Sequence, residues 1–173
     1  MKRVRFANAV MAAFLVCLLG ACGGQQQPKA YVSTMTSDDS LLIRMGKWEL
    51  IRYHSDKLGM DINYPSFLHY QELPGEPRQE LFMSEDVSIS VMVDSLDGIN
   101  RSPGQQMMGM GAELLDATDR YSLHAGSEDK WEYYTKVIED DTIRLVTVML
   151  RYFPEHAEAV EDLREWVRNF DVE

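Results

Sequence analysis

From Trp48 onward, polar and apolar positions alternate in short runs. Trp48, Leu50 and Arg52 alternate with Glu49, Ile51 and Tyr53, and Asp56-Lys57-Leu58-Gly59 turns the chain into Met60-Asp61-Ile62-Asn63-Tyr64-Pro65, which predicts a hairpin. Pro74-Gly75-Glu76-Pro77 marks a loop, and 80–84 with 87–93 predict a second hairpin around Glu85-Asp86. Val87, Ile89, Val91 and Val93 fall on one face and Ser88, Ser90 and Met92 on the other, so this strand is expected to be buried mainly on one side.

Ser102-Pro103-Gly104 has the form of a helix start, and 105–117 has the composition to continue it. Gly109 and Gly111 weaken that helix by about 1 kcal/mol each relative to alanine. Three strands are predicted at 121–126, 130–139 and 142–153, the last two joined at Asp140-Asp141. Pro154 is expected to open a final helix, in which Val160, Leu163, Val167 and Phe170 recur at helical spacing against Glu158, Glu161, Glu165 and Arg168. Hairpins need no crossovers, so this order implies an α+β domain built on an antiparallel sheet with packed helices.

The N-terminal pattern is different. Lys2, Arg3 and Arg5 precede an apolar run over 6–19 that closes on Leu19-Gly20-Ala21-Cys22. This describes a cleaved signal peptide over 1–21, too short to span a bilayer comfortably. It resembles the lipobox of bacterial lipoproteins, which implies that Cys22 is acylated and becomes the first mature residue. An ordinary signal peptide with a chance cysteine is the alternative. Two or three acyl chains hold a protein on a membrane durably where one does so marginally. Gly23-Gly24-Gln25-Gln26-Gln27-Pro28 and the polar stretch through Ser37-Asp38-Asp39-Ser40 then read as a flexible tether over 22–40, ahead of a single domain over 41–173. As a random coil its roughly 17 residues span about 20–25 Å. Glycines follow Cys22 where an aspartate would resemble an inner-membrane retention signal, so the expected address is the bacterial cell envelope, at the outer membrane.

Removing residues 1–21 takes away three of the 17 basic residues and none of the 28 acidic ones, leaving a net charge of −14. Such a surface repels nucleic acid and anionic headgroups. Cys17 leaves with the signal and Cys22 is acylated, so no thiol remains for a disulfide and stability must come from a hydrophobic core.

The residues of the predicted domain carry a resemblance. Gly59-Met60-Asp61-Ile62-Asn63-Tyr64-Pro65-Ser66, a mid-chain helix, a strand over 131–136, and Arg151-Tyr152-Phe153-Pro154 before a helix ending Asn169-Phe170 resemble the PsbP/DcrB-like family over 46–173. The resemblance implies an α/β/α sandwich, and a protein that acts through binding partners without a shared catalytic motif. That family includes a photosystem extrinsic subunit and bacterial envelope lipoproteins; no site residue carries over from it.

Candidate chemistry is sparse. No Gly-x-Ser-x-Gly, phosphate loop, His-Glu-x-x-His or dinucleotide fingerprint is present, so no catalytic residue and no cofactor are assigned. His54, His69, His124 and His156 fall on separate elements without metal-ligand spacing and read as surface or half-buried side chains. Met107-Met108-Gly109-Met110 is the sharpest metal candidate, because soft thioethers bind Cu(I), yet Met107 and Met110 with Leu114 also suit the packed face of a helix, which is the favoured reading, and an exposed partner-binding methionine patch is the third. The acidic pairs at Asp38-Asp39, Glu85-Asp86, Glu128-Asp129 and Glu139-Asp140-Asp141 lack an EF-hand pattern and read as solvated turns. Asn100-Arg101-Ser102 matches a glycosylation triplet that Pro103 and a bacterial setting make uninformative. The leading expectation is a membrane-anchored, non-catalytic binding or assembly module with an envelope protein as partner. An envelope enzyme and a methionine-based copper-handling protein are the alternatives.

Overall fold

The computed structural model describes residues 29–31, 39–76, 78–95, 111–140 and 144–172. Its strands are β1 (Leu50–Ser55), β2 (Met60–Pro65), β3 (His69–Gln71), β4 (Gln79–Met83), β5 (Val87–Ser95), β6 (Glu113–Ala117), β7 (Tyr121–Glu128), β8 (Trp131–Asp140) and β9 (Arg144–Tyr152). Two helices, α1 (Ser40–Met45) and α2 (Glu161–Asn169), accompany them. β1 and β2 form a separate two-stranded sheet, and the others form one sheet in the order β3-β4-β5-β9-β8-β7-β6. Every pairing between these strands is antiparallel, as the hairpins predict. The chain has an α+β fold.

Alternation decides which face of the large sheet is packed. Val87, Ile89 and Val91 of β5, Tyr134 and Ile138 of β8, and Val146, Val148 and Leu150 of β9 are buried in one core with Leu163, Trp166 and Val167 of α2. Burying each such side chain is worth about 1.5–3 kcal/mol, which is why α2 lies on this face. The β1–β2 hairpin joins the same layer, and the Trp166 indole donates to the Asn63 carbonyl at 3.2 Å. The opposite face carries a smaller cluster of Ala112, Tyr133, Val137 and Leu145. There Gly126 of β7 faces Tyr133 of β8, and a Cβ at Gly126 would lie 2.4 Å from the tyrosine hydroxyl.

Buried polar groups stitch the layers. Glu80 of β4, 1% exposed, accepts from the Ser55 hydroxyl at 2.5 Å and the Tyr53 hydroxyl at 3.4 Å, and pairs with Lys57 at 3.2 Å. The large sheet is thereby tied to the β1–β2 hairpin. Burial, with Tyr70 and the Glu80 carboxylate nearby, pushes the Tyr53 phenol up to about 12.

Several expectations change. The helix expected over 105–117 is overturned at its C-terminal end, because Glu113–Ala117 is the edge strand β6. Its remaining residues, with the helix start at Ser102, lie outside the described residues, and no second helical layer is found among those described. Pro154 opens a 3-10 helix, Pro154–His156, and α2 starts only at Glu161. β3 and α1 are additional elements. Most of the stretch read as a tether lies outside the described residues, but three of its members are docked. Tyr31 bridges Trp48 through backbone hydrogen bonds of 2.9 and 3.3 Å and stacks on its ring at 3.9 Å. Asp39 caps α1 by accepting from the Leu41 amide at 2.8 Å, and Ser40 is the first residue of that helix.

Candidate binding groove

The second face of the large sheet is built in cross-strand rows. Met83 of β4 stands opposite Ser88 of β5, which stands opposite Arg151 of β9. The next row is Leu81, Ser90 and Met149, and the third is Gln79, Met92 and Thr147. Ser88 and Ser90 rise little above the sheet while their neighbours are long, so the face sinks along β5 into a trough. The trough has a volume of about 530 Å³ and is closed on one side by Leu73 and Glu76 from the β3–β4 connection.

One end of the trough is aromatic. β8 starts at Trp131 and β9 ends at Tyr152, and the Trp131 ring stacks on Phe153 at 4.1 Å with 17° between planes. The Arg151 guanidinium lies 5.4 Å over Trp131, and the Lys130 ammonium lies 5.0 Å over Phe153. Arg151 reaches Glu128 only at 3.8 Å and keeps 39% of its side chain exposed. Two cations lie over half-buried aromatic rings at this end, with Glu128 beside Arg151 and Glu76 on the wall of the trough. Leu81, Met83, Met92 and Met149 supply an adaptable apolar wall, methionine being the side chain that moulds itself to irregular ligands. The arrangement suits binding of an apolar group.

Two other polar centres have structural work. His156, buried, places Nδ1 2.9 Å from the Asp39 carboxylate and Nε2 3.7 Å from Asp86, which in turn pairs with Arg44. Arg44 also binds Glu85 at 2.9 Å. This cluster joins α1, the β4–β5 turn and the corner after β9. Burial works against ionisation of Asp39, but the hydrogen bonds from His156 and from the amides of Leu41 and Leu42 hold its carboxyl below the usual range. The Ser55–Glu80 pair has the donor and acceptor types of a catalytic dyad. Ser55 is fully buried and accepts from the Leu58 amide at 3.1 Å, so it fixes a turn.

The residues singled out in the sequence are scattered. Cys22, Met107, Met108 and Met110 lie outside the described residues, as do Asp38, Asp141 and the Asn100-Arg101-Ser102 triplet. His54 pairs with Asp61 at 2.8 Å on the surface of β1 and β2, and His69 is exposed on β3. The expectation of surface or half-buried histidines is overturned at two positions. His156 is buried as above, and His124 is wholly buried, with Nε2 2.9 Å from the Ser122 hydroxyl and its basicity lowered by burial. Asp39 and Asp86 are likewise more than solvated turn residues. Among the described residues no group of three or more His, Cys, Asp or Glu side chains is placed to hold a metal ion. The groove residues escape a linear reading because three strands and a loop supply them. The Ser88/Ser90 pair, small and polar between apolar neighbours of β5, is the one trace they leave.

No family model and no curated protein matches the chain. Among solved structures it is similar to a protein of unknown function from Pseudomonas aeruginosa, with 15% identity over 72% of this chain and 96% of that one and a TM-score of 0.38. It is also similar to the solution structure of cyanobacterial PsbP (CyanoP) from Synechocystis sp. PCC 6803, with 18% identity over 90% of this chain and 99% of that one and a TM-score of 0.52. The antiparallel sheet described above thus has a PsbP-like fold.

Proposed function

We propose that this chain is a non-catalytic binding or assembly module of the bacterial cell envelope, anchored through acyl chains on Cys22 and engaging an envelope protein through the groove on the second face of its sheet. The observation that carries the reading is the groove, where an apolar methionine and leucine wall runs into a cation-flanked Trp131–Phe153 platform. A PsbP-like fold supports a binding role in place of catalysis. The lipobox resemblance at Leu19–Cys22 supports the anchor, and the glycines after Cys22 support an outer-membrane address.

Two measurements test this. Cys22→Ser is expected to release folded protein into the soluble fraction once the signal is removed, and a variant that stays membrane-bound after signal cleavage overturns the anchor. Capture from detergent-solubilised envelopes is expected to recover a stoichiometric partner with the natural protein and none with the Met83→Glu/Trp131→Ala double variant, at matched urea stability. A partner retained by both proteins overturns the groove as the binding face.

A further inference from the structure

The methionines among the described residues fall into two groups. Met45 and Met60, 4% and 5% exposed, are packed in the core that holds α2. Met83 of β4, Met92 of β5 and Met149 of β9 all line the groove, Met83 with 37% exposure and the other two half-buried. Every described methionine outside the core therefore lines the same open trough. The only cysteines are Cys17 and Cys22, so from residue 23 onward methionine supplies all the sulfur in the chain.

Thioether sulfur reacts with peroxides by oxygen transfer. A sulfur lone pair attacks one peroxide oxygen, the S–O bond forms as the O–O bond breaks, and the other oxygen leaves as water. The sulfur gives up two electrons and the peroxide takes them. Packing shields Met45 and Met60 from such a reagent, whereas the open trough leaves Met83, Met92 and Met149 within its reach. The product, methionine sulfoxide, is polar and chiral, so three of them turn an apolar wall into a polar one. An apolar ligand laid against that wall would strip water from the sulfoxide oxygens and return no hydrogen bond.

The strand register gives those oxygens partners within the protein. Met83 stands opposite Ser88 and Met149 opposite Ser90, and side chains so paired have Cβ atoms about 4.5–5.5 Å apart. At that spacing a serine hydroxyl can donate to a sulfoxide oxygen, which draws the oxidised side chains down over β5. The two serines that deepen the trough then hold it filled. Resting on the reading of this trough as the binding site, we propose that Met83, Met92 and Met149 form a reversible oxidation site, at which a peroxide switches the groove from a binding to a non-binding state while the sheet stays folded. Thiol-dependent methionine sulfoxide reductases restore the thioethers, two thiols supplying the electrons and joining as a disulfide while the oxygen leaves as water.

The experiment treats the mature Cys22→Ser chain with dilute hydrogen peroxide and follows each methionine by peptide mass mapping. Sulfoxide is expected to form several-fold faster at positions 83, 92 and 149 than at 45 and 60, and equal rates overturn the site. The groove is read with 1-N-phenylnaphthylamine, an uncharged apolar fluorophore. Its affinity is expected to fall by about tenfold or more on oxidation, with the urea midpoint unchanged, and to return after treatment with the two epimer-specific sulfoxide reductases and dithiothreitol. Unchanged affinity, a loss that the reductases do not restore, or a loss that accompanies a lower urea midpoint overturns the switch. In the Met83→Leu/Met92→Leu/Met149→Leu variant the ratio of affinities before and after peroxide is expected to be near one, and a tenfold fall there places the effect on other residues and overturns the assignment. A probe that binds the natural sequence and the Met83→Glu/Trp131→Ala variant alike, or neither, overturns the groove reading together with this inference. A probe that the double variant loses but oxidation leaves bound overturns this inference alone.

Discussion

Lys136 lies mid-way along β8 with its ammonium donating to the carbonyls of Arg168 at 2.9 Å and Phe170 at 2.6 Å, the last turn of α2 and the residue after it. A helix C-terminus leaves carbonyls without partners and carries partial negative charge, so a cation there satisfies both. Burial lowers the ammonium's basicity, and Asp171 offsets part of that. Lys136→Met keeps the stem and removes the donors, and the orphaned carbonyls are expected to destabilise the protein by about 1–3 kcal/mol in urea melts. Asp39 gives a pH signature of its own. Its carboxyl titrates lower in the folded protein than the ordinary value of 3.8, so its contribution to stability is complete above that value and lost as pH falls through the folded one. As pH falls below about 4 the natural protein is expected to lose more stability than Asp39→Asn, and parallel losses in the two proteins would remove Asp39 from the account.

At the scale of elements, legibility follows alternation. β5 and β9 each show apolar residues two apart because one face packs into the core that holds α2, and that burial leaves the period-two trace. β6 leaves none. All five of its residues are exposed, and its register shifts between Leu114 and Asp116, so the Leu114-Leu115 doublet breaks the alternation and helix-favouring composition prevails in a linear reading. α1 is six residues long, too short for a helical period to show, and it starts where the polar stretch ends, its start marked by the capping Asp39. The groove was legible only as the polar side of β5, because its walls come from strands that are neighbours in space and not in sequence. α2 is the reverse case, since its stripe is written in consecutive turns. Leu163, wholly buried, is expected to cost about 2–5 kcal/mol when changed to alanine, whereas Glu161→Ala on the exposed side should change little. Coinciding urea melts of the two variants would show that the face is misassigned.

At the scale of the molecule, the body begins earlier than composition suggests. A boundary at 41 follows the end of the polar stretch, yet the contacts that close the core cross it. Tyr31 stacks on Trp48, itself 1% exposed, and Asp39 both caps α1 and holds His156. Cutting at 41 exposes one face of Trp48, leaves the first amides of α1 without an acceptor and strands a buried histidine beside Asp86 alone. A lost cap costs about 0.5–2 kcal/mol and an aromatic stack about 0.5–1.5 kcal/mol beyond its area. A fragment spanning 29–173 is therefore expected to exceed one spanning 41–173 by at least about 1–3 kcal/mol in urea unfolding. Adding Tyr31→Ala to the longer fragment should recover only the aromatic share of that difference, because Asp39 still supplies the rest. If the two fragments unfold at the same urea concentration, the N-terminal contacts do not stabilise the body.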